Sequence, residues 1–337
     1  MRVLNEKDYR LIERLVSLNQ KELKRAMEEY IRSKYKNTII TKEYIVGIGD
    51  IPIALVAHMD TVFKKPVSEL YYDQRKGVLW SPDGLGADDR AGVFAILKIL
   101  QDGFRPSVIL TTDEEIGGIG AAALAAKKCP IPDLKYMIQL DRRGTNDCVF
   151  YDCYNPSFID YIEKFGFCER WGSFSDISFL MPEWNICGVN LSVGYENEHS
   201  YSETLSIKPL FDTIRKVKNM LMDKNIPNFE YSEIPYYDEN SAWYGYGCGT
   251  GVKYTTNFSH KKICYKCKKP FSEYEIFPAK GVNGKTKYFC PDCVVGNVEW
   301  CEYCGEAFEV HDPANITYCK DCMEDLCTKT SKDNLPK

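Results

Sequence analysis

The sequence contains a series of short apolar runs that each end in acidic or histidine residues. Between residues 37 and 223 these runs have the length of strands and alternate with longer segments of helical periodicity. This alternation is typical of an α/β domain with a buried, largely parallel sheet. We therefore predict an α/β fold in residues 1–224, with a mostly parallel central sheet and helices on both faces.

Polar residues follow the predicted strands at regular points. The carboxyl ends of parallel strands meet at one edge of a sheet, where ligands commonly bind. The residues expected at this edge are His58, Asp60, Asp88, Asp89, Asp113, Glu114, Glu115, Asp141 and His199. So many carboxylates in one place would repel one another and be costly to desolvate. A pair of divalent cations removes that cost, and mixed histidine and carboxylate ligands suit zinc, with cobalt or manganese as alternatives.

Each of these residues taken alone has a simpler interpretation. His58 and Asp60 could form a capped strand end, and Asp88 and Asp89 could be a helix cap and a first-turn acid. His199 alone could be a surface histidine. The chain has only four histidines, however, and two of them belong to this series. The set as a whole, in this order, favours a metal site.

The motifs "AHMDTV", "GLGADDRAG", "TTDEEIGGIGA" and "NEHS", with a strand that ends in Asp141, resemble those of the co-catalytic di-zinc peptidase superfamily. The superfamily includes zinc aminopeptidases, peptidase T-like tripeptidases and N-acyl amino acid deacylases. The resemblance covers residues 1 to about 224. It implies an enzyme that hydrolyses amide or peptide bonds with a metal-activated water.

The resemblance also implies a ligand set for two catalytic metal ions. Asp88 would bridge the two ions, and His58 and Asp141 would complete one site. Glu115 and His199 would complete the other site.

Two further acids would support the reaction according to the same resemblance. Asp60 would fix the tautomer of the His58 ring. Glu114 would be the general base that takes a proton from the water and passes it to the leaving amine. Two consecutive glutamates at a turn can place one carboxylate on a metal ion and the other on the water, and no serine or cysteine nucleophile is needed.

The sequence departs from part of the superfamily between Asp141 and His199, where only 57 residues lie. The tripeptidase-like and deacylase-like branches insert a lid and dimerisation domain there, so we expect the compact aminopeptidase branch. The segment "GSFSDISFL" supports this branch and makes Asp176 a candidate near the metal ions or the substrate; a helix N-cap is the alternative. Tyr195 or Tyr201 could replace the oxyanion contact that the lid supplies elsewhere.

Charged residues near the predicted site leave the substrate class open. Acids near Glu196 and Glu198 could bind the free α-amine that an aminopeptidase recognises. Arg142 and Arg143 could bind the carboxylate of an N-acyl amino acid, as a deacylase requires; as solvated surface arginines they would have no such role. An aminopeptidase-type exopeptidase acting on short peptides is our first hypothesis, and a deacylase is the second.

Four Cys-x-x-Cys pairs account for eight of the fifteen cysteines. The pairs are Cys264 and Cys267, Cys290 and Cys293, Cys301 and Cys304, and Cys319 and Cys322. Two such pairs make one tetrahedral zinc site, so we predict two structural zinc ions. Sequential pairing gives two zinc-ribbon-like units, residues 263–296 and 297–327, and a cross-braced arrangement is the alternative. We expect Cys129, Cys148, Cys153, Cys168, Cys187, Cys248 and Cys327 to be free thiols.

The charges of the two units make nucleic acid an unlikely ligand. Residues 261–296 contain eight lysines against three acids, whereas residues 297–327 contain one lysine against eight acids. A nucleic-acid ribbon would be basic throughout, so this tail could instead bind a protein partner. His260 and His311 are expected at the surface. A third hypothesis is therefore a zinc-ribbon adaptor without catalytic activity.

The remaining expectations concern organisation and compartment. We expect residues 225–262 to be a linker or a surface-lying extended segment, and residues 328–337 to be a disordered tail. The N-terminal stretch has a charged, helical pattern unlike a secretory signal, and no apolar run is long enough to cross a bilayer. Together with cysteine spacing that favours zinc over disulfides, this predicts a cytoplasmic protein with no membrane partner.

Overall fold

A computed structural model describes residues 4–233 and, beyond them, residues 244–245, 254–255, 262–271, 276–281, 285–294, 297–301, 307–310 and 320. The chain divides into two compact units, Met1–Tyr236 and Tyr237–Lys337. The helices of the first unit are α1 (Glu6–Val16), α2 (Gln20–Lys34), α3 (Ala87–Gln101), α4 (Ile119–Ala125), α5 (Pro156–Glu163), α6 (Asp176–Trp184) and α7 (Ile207–Met222). Its strands are β1 (Asn37–Ile40), β2 (Tyr44–Ile48), β3 (Ile51–His58), β4 (Tyr71–Asp73), β5 (Val78–Trp80), β6 (Pro106–Thr111), β7 (Tyr136–Arg142), β8 (Asp147–Val149), β9 (Cys168–Glu169), β10 (Gly188–Ser192), β11 (Tyr195–Glu196) and β12 (Thr204–Ser206).

The first unit is built on an eight-stranded sheet in the order β1-β2-β6-β3-β7-β10-β8-β9. The four central strands β6, β3, β7 and β10 run parallel, and antiparallel strands flank them on both sides. His58 lies opposite Thr111 in the register of β3 and β6. The ends of these two strands are therefore level, which brings the residues that follow them to one edge of the sheet.

Helices cover both faces of the sheet, as the sequence predicts. Helix α3 packs against β3 and β7 and is covered in turn by α1 and α7, whereas α6 contacts β3, β7 and β10 and packs with α4. Residues 53–58 of β3 are all buried, because each side chain faces one helical layer or the other. Helix α3 is buried along most of its length, which explains its lack of a polar face.

The break between α1 and α2 follows from capping. Asn5 and Asn19 are the N-caps of the two helices, and each accepts a hydrogen bond from a backbone N–H in the first turn. Glu22 completes a capping box at α2 by bonding back to the Asn19 backbone. The predicted interruption near residues 17–20 is confirmed. It lies beside the carboxyl end of β3, because Arg90 donates to the carbonyls of both Leu18 and Met59.

A second, antiparallel sheet of four short strands has the order β11-β12-β5-β4. It contains the hairpin predicted around residues 71–80, since β4 pairs with β5. The loop between β11 and β12 carries His199. This small sheet therefore brings a late part of the sequence to the edge of the main sheet.

Residues 225–233 lie against the first unit as an extended segment. Ile226 and Phe229 are buried, and Phe229 packs among Tyr136, Phe158 and Tyr161. The Tyr154 backbone N–H donates to the carbonyl of Ser232 at 2.7 Å. The boundary after residue 224 stays a prediction, and most of the expected linker to residue 262 lies outside the described residues.

The second unit contains short elements in its described residues. They are β13 (Tyr244–Gly245), β14 (Tyr254–Thr255), β15 (Lys262–Ile263), β16 (Pro270–Phe271), β17 (Phe277–Lys280), β18 (Thr286–Phe289), α8 (Pro291–Val294), β19 (Val298–Trp300) and β20 (Ala307–Glu309). Strands β18, β17, β20 and β19 form one sheet. The expected disordered tail, residues 328–337, lies outside the described residues. Within the described part of the chain, no helix has both the length and the apolar character needed to span a membrane.

Candidate metal centre

Two groups of possible metal ligands lie at the carboxyl ends of the parallel strands. His58, Asp88 and Asp141 form one group, and Asp88, Glu115 and His199 form the other. Within each group, one ligand atom of every residue lies within 4.8 Å of the others. The structure therefore brings together all five residues that the resemblance implies as ligands, and Asp88 belongs to both groups.

Asp88 lies between the two histidines. Its Oδ1 atom is 3.1 Å from His58 Nε2, and its Oδ2 atom is 3.2 Å from His199 Nε2. His199 Nε2 is also 3.0 Å from Glu115 Oε2. Asp88 belongs to the start of α3 but has extended rather than helical backbone angles, with φ −80° and ψ 104°. Because each Asp88 oxygen faces a different imidazole, one carboxylate can serve two adjacent cations.

Asp60 connects His58 with the turn that carries the two glutamates. The Oδ1 atom of Asp60 is 3.3 Å from His58 Nδ1. The backbone N–H groups of Glu114 and Glu115 donate to the same carboxylate at 3.1 and 3.0 Å. A carboxylate on Nδ1 leaves Nε2 of the ring free to face the centre. The geometry fits the role that the resemblance implies for Asp60.

Asp141 lies near the carboxyl end of β7, and three donors hold its carboxylate. Tyr195 Oη donates to Oδ1 at 3.1 Å, and Ser175 Oγ and Gln139 Nε2 donate to Oδ2 at 2.9 and 3.1 Å. His58 Nε2 is 3.6 Å from Oδ1. The Tyr195 hydroxyl is therefore committed to Asp141, whereas Tyr201 is 74% exposed and packs its ring on Phe63.

Burial and mutual repulsion make three carboxyls of the centre weak acids, whereas contacts with His199 and His58 hold the pKa of Asp88 well below its usual range. Burial raises the pKa of Glu114 to about 9, that of Glu115 to about 7 and that of Asp141 to about 6, and neighbouring carboxylates act in the same direction. Glu115 Oε1 is buried and has no hydrogen-bond partner among the described residues. Two imidazoles and three carboxylates, one of which has an unpaired buried oxygen, are a donor set that suits zinc or a similar divalent cation.

Glu203 is a functional candidate that the sequence analysis does not identify. Its Oε2 atom accepts a 2.6 Å hydrogen bond from the Gly86 N–H, and its Oε1 atom accepts one at 3.0 Å from the Asp88 N–H. Glu203 is buried, and it holds the backbone that presents Asp88. Its place four residues after His199, in "NEHSYSE", is the only sequence signal that could have pointed to it.

Asp89 is in the expected strand-end series but belongs to neither ligand group. It is buried and accepts hydrogen bonds from the backbone N–H groups of Gly92 at 2.8 Å and His58 at 3.2 Å. It therefore joins the end of β3 to the start of α3. Asp113, the remaining member of the series, is also outside both groups; its Oδ1 atom accepts a 2.8 Å hydrogen bond from Gln20.

Asp176 is the first residue of α6. The N-cap position, which is expected as its alternative role, is occupied by Ser175. Its Oδ2 atom accepts a 2.5 Å hydrogen bond from Thr111 Oγ1. Its Oδ1 atom is buried and without a hydrogen-bond partner in the described part of the chain. Burial raises the pKa of Asp176 to about 7, with Asp141 acting in the same direction.

The two arginines after Asp141 have different surroundings. Arg143 Nη1 is 2.8 Å from Glu198 Oε1, so its charge is already paired. Arg142 Nη2 donates to the Trp171 carbonyl at 3.2 Å. Arg142 Nε is buried and has no hydrogen-bond partner within residues that the structure describes. Arg142 is therefore the arginine that retains the capacity to bind an anion.

The first two cysteine pairs come together in the second unit. Cys264, Cys267, Cys290 and Cys293 form one group of possible metal ligands. Cys267 Sγ is 3.8 Å from Cys290 Sγ, and Cys264 Sγ accepts a 3.4 Å hydrogen bond from the Cys290 backbone. Four sulfurs at this spacing suit tetrahedral zinc.

Of the last two pairs, only Cys301 is described, and Cys304, Cys319 and Cys322 lie outside the described residues. Five cysteines expected to be free form no disulfide in the described part of the chain: Cys129, Cys148, Cys153, Cys168 and Cys187. Cys248, Cys327, His260 and His311 lie outside the described residues.

Solved structures provide the comparison that decides the fold. A tripeptidase from Staphylococcus aureus is 14% identical, with a TM-score of 0.53 over 65% of this chain and 98% of its own. Aminopeptidase PepT from Bacillus cereus is 14% identical, with a TM-score of 0.50 over 65% and 98%. A TET aminopeptidase from a marine sediment thaumarchaeon is 15% identical, with a TM-score of 0.51 over 64% and 97%.

The chain therefore shares the fold of this tripeptidase and these aminopeptidases. The resemblance drawn from the motifs is thereby confirmed for the fold. No protein-family model and no curated protein sequence matches the chain.

Proposed function

We propose that the first unit is a metal-dependent hydrolase of amide bonds, and specifically an aminopeptidase-type exopeptidase acting on short peptides. The observation that carries the proposal is the position of Asp88, whose two oxygens each lie 3.1–3.2 Å from a different histidine. A carboxylate in this position, with Asp141 and Glu115 on either side, makes a site for two adjacent cations. Zinc is the first choice, with cobalt or manganese as alternatives.

Two bound cations would supply Lewis acidity for the scissile carbonyl and would lower the pKa of a water molecule. The residues of the chain account for the rest of the reaction. Glu114 Oε2 is 4.0 Å from His58 Nε2, close to the centre but outside both ligand groups. A carboxyl with a raised pKa can hold a proton taken from water and return it to the leaving amine. Asp60 keeps the His58 ring oriented throughout.

The similar structures support a peptidase as the first candidate. The similar structures are described as a tripeptidase and as aminopeptidases. We extend that activity to this chain because its own ligand set and general base are complete. A catalytically inactive adaptor, our third hypothesis, would not need all six of these residues.

A deacylase of N-acyl amino acids is the second candidate, and Arg142 favours it. Arg142 directly follows Asp141 in β7, and its guanidinium makes no ion pair among the described residues. A product carboxylate could bind there through charge-assisted hydrogen bonds. The same arginine could also bind the C-terminal carboxylate of a short peptide, so only a substrate panel separates the two reactions.

The first experiment combines metal content with hydrolysis. Wild type, Glu114→Ala and a surface control, Glu29→Ala, are purified, their metal content is measured by mass spectrometry, and each is assayed on free and N-acylated dipeptides. We expect about four divalent metal ions per wild-type chain, half in the first unit and half in the cysteine units. Glu114→Ala should keep its metal and lose turnover by at least about 100-fold, whereas Glu29→Ala should match wild type.

Each result has a definite meaning. Cleavage of free dipeptides alone identifies an aminopeptidase, and cleavage of the N-acylated set alone identifies a deacylase. A wild-type chain that carries metal only in the cysteine units and cleaves neither set refutes the hydrolase proposal and leaves the adaptor. A Glu114→Ala chain as active as wild type refutes the assignment of the general base.

We also propose that each set of four cysteines binds one structural zinc ion. The group formed by Cys264, Cys267, Cys290 and Cys293 supports the first site and the sequential pairing of the first two knuckles. The second site, a protein partner for the tail and a cytoplasmic location stay predictions from the sequence.

A further inference from the structure

The turn after β6, residues 113–117, carries Glu114 and Glu115 and is held through its backbone. Its first three N–H groups donate to side chains from distant parts of the chain. The Asp60 carboxylate accepts the hydrogen bonds of the two glutamates, and Gln20 Oε1 accepts that of the first residue at 3.3 Å. Two side chains therefore help to determine how the turn presents both glutamates to the centre.

Gln20 contacts Asp113 at two points. Besides accepting from the Asp113 backbone, Gln20 donates from Nε2 to Asp113 Oδ1 at 2.8 Å. The two residues are 93 positions apart in sequence, so the contact joins the start of α2 to the turn after β6. Both residues are half-buried, and a hydrogen bond is electrostatically stronger where water is partly excluded.

The backbone conformation of Asp113 gives this contact a purpose. Its φ is +59°, in the left-handed region that is uncommon for residues other than glycine, although aspartate tolerates it. A residue in such a conformation persists when its surroundings over-determine it. Because Asp113 directly precedes the proposed general base, a change in its backbone angles would move Glu114 and Glu115 together.

The corner between α1 and α2 is itself fixed to the other side of the centre. The buried Arg90 guanidinium donates to the carbonyls of Leu18 and Met59, at 3.1 Å in the case of Leu18. Leu18 lies in the corner, and Met59 directly follows His58. Gln20 therefore extends from a corner that is tied to the backbone beside His58, and it links that side of the centre to the glutamates.

We propose that Gln20 is a positioning residue of the metal centre. By holding Asp113, it keeps the Glu115 carboxylate at one cation site and the Glu114 carboxylate beside it before any ion binds. The corner between the first two helices is then part of the functional machinery as well as of the fold. The inference rests on the proposed hydrolase function, because that function gives the two glutamates their roles.

A purely structural role for Gln20 predicts a different result. Losing such a residue lowers stability but leaves metal binding and turnover of the folded chain unchanged. Losing a partner that orients a metal ligand instead typically costs about 10–100-fold in metal affinity or activity. Measurements on the folded chain therefore separate the two roles.

Three variants change the contact in defined ways. Gln20→Ala removes both hydrogen bonds to Asp113. Gln20→Glu keeps the length of the side chain but replaces the donor with a carboxylate that faces the Asp113 carboxylate, so the two repel. Adding Asp113→Asn to Gln20→Glu supplies a donor again and tolerates the same backbone angles. Lys21→Ala, at the exposed next position of α2, is the matched control.

Hydrogen–deuterium exchange followed by mass spectrometry measures the turn itself, without metal or substrate. We expect Gln20→Ala and Gln20→Glu to raise the exchange rate of residues 113–117 by at least about tenfold, because the turn opens more often. The double variant should restore most of the protection, and Lys21→Ala should match wild type.

Zinc affinity and steady-state kinetics of the full chain measure the effect on the centre. Zinc is removed by competition with a chelator, and the cysteine sites are the same in every variant, so differences between variants report the first unit. Both single variants should lose about 10–100-fold in zinc affinity and in kcat, with a smaller change in KM. The double variant should recover most of both losses.

The outcomes separate the positioning role from the hydrolase function. Faster exchange and weaker zinc binding, both reversed in the double variant, support the positioning role even if no peptide is cleaved, a result that refutes the hydrolase alone. Faster exchange with unchanged zinc affinity and kcat overturns the positioning role, as does a double variant no better than Gln20→Glu. Hydrolysis that no Gln20 variant alters also refutes that role alone. A first unit that binds no zinc refutes both.

Discussion

The carboxylate of Asp88 lies between two imidazole rings and beside two further carboxylates, at the start of a buried helix. An ionised group in such surroundings needs positive charge close by, because water is excluded and the neighbouring acids repel it. His58 and His199 meet this need in part, and two cations would meet it fully. The unfavourable charge of the centre is therefore what the proposed pair of cations would balance.

Replacing Asp88 should empty both catalytic sites together. Asp88→Asn keeps the size of the side chain but removes the charge shared by the two groups, so we expect the first unit to lose about two metal ions and turnover to fall at least about 100-fold. Metal analysis by mass spectrometry and a peptide assay measure both effects, with the surface variant Asp102→Asn as control. Loss of only one ion would contradict a shared ligand.

Replacing Glu203 tests whether it holds the Asp88 backbone. Glu203→Gln has one acceptor oxygen for two N–H donors, so we expect the free energy of unfolding to fall by about 1–3 kcal/mol and metal affinity to weaken. Urea denaturation and a metal titration check the two effects. The exposed variant Glu183→Gln should change neither, and a Glu203→Gln chain indistinguishable from it would disprove the positioning role.

The proposed metal ligands could be predicted from the sequence because each lies near the end of a strand or the start of a helix, and order along the chain determines which sheet edge they share. Glu203, Ser175 and the Tyr195 hydroxyl could not be predicted in these roles. Glu203 is 115 residues from Asp88 in sequence, and their contact depends on how the small sheet packs against α3. Local sequence patterns contain no information about a contact between residues so far apart in the chain.

At the scale of elements, the segment 225–233 shows what composition leaves open. Its polar, aperiodic sequence indicates a linker or an extended segment on the surface, and two of its apolar side chains, Ile226 and Phe229, are buried in the core of the first unit. The Phe229 ring centroid lies 4.9 Å from that of Phe158 and 5.3 Å from that of Tyr161. Two anchors in nine residues give no periodicity, so only the structure identifies the segment as part of the domain.

Truncating Phe229 should destabilise the first unit. Phe229→Ala leaves a void among aromatic rings, and we expect the free energy of unfolding to fall by about 3 kcal/mol with no change in metal content. Urea denaturation followed by tyrosine fluorescence measures the effect, and the exposed variant Met222→Ala is the control. A loss below about 1 kcal/mol would show that the segment contributes little to stability.

The cap of α2 provides a second test of an element. Asn19→Ala removes the acceptor for the Glu22 N–H, so we expect a loss of about 1 kcal/mol in unfolding free energy. Asn19→Ser keeps a side-chain acceptor, so it should retain most of the wild-type stability. Equal denaturation midpoints for the two variants would contradict the capping role.

At the scale of the whole molecule, the chain combines a large α/β unit with a second unit whose described elements are short. The sources of stability differ. The first unit has an extensive hydrophobic core, whereas the buried apolar residues described in the second are few: Cys264, Ile276, Ala279, Phe289, Cys290, Cys301 and Phe308. Small cores of this kind depend on metal to fold. The alternation of strands and helices predicts the first unit well, but cysteine spacing predicts only ligand pairs in the second.

Shortened chains test this division. If the proposed function is right, a chain that ends after residue 236 should fold, bind about two metal ions and hydrolyse the same peptides as the full chain. A chain that ends after residue 224 lacks Ile226 and Phe229, so its melting temperature should be lower by several degrees, at roughly 2–4 °C per kcal/mol. Calorimetry on both chains measures the difference. Equal melting temperatures would show that residues 225–236 add no stability, and they would place the end of the domain at residue 224.

The Asp60 carboxylate has a consequence for how the centre can be observed. It accepts hydrogen bonds from the backbone N–H groups of Glu114 and Glu115, and it also faces the His58 ring. Any event that alters the charge on the His58 ring changes the electric field at these two amide protons. The two N–H groups donate to Asp60 and have no role in the proposed reaction. Their NMR resonances are therefore built-in reporters, from which successive filling of two cation sites could be followed in solution without a substrate.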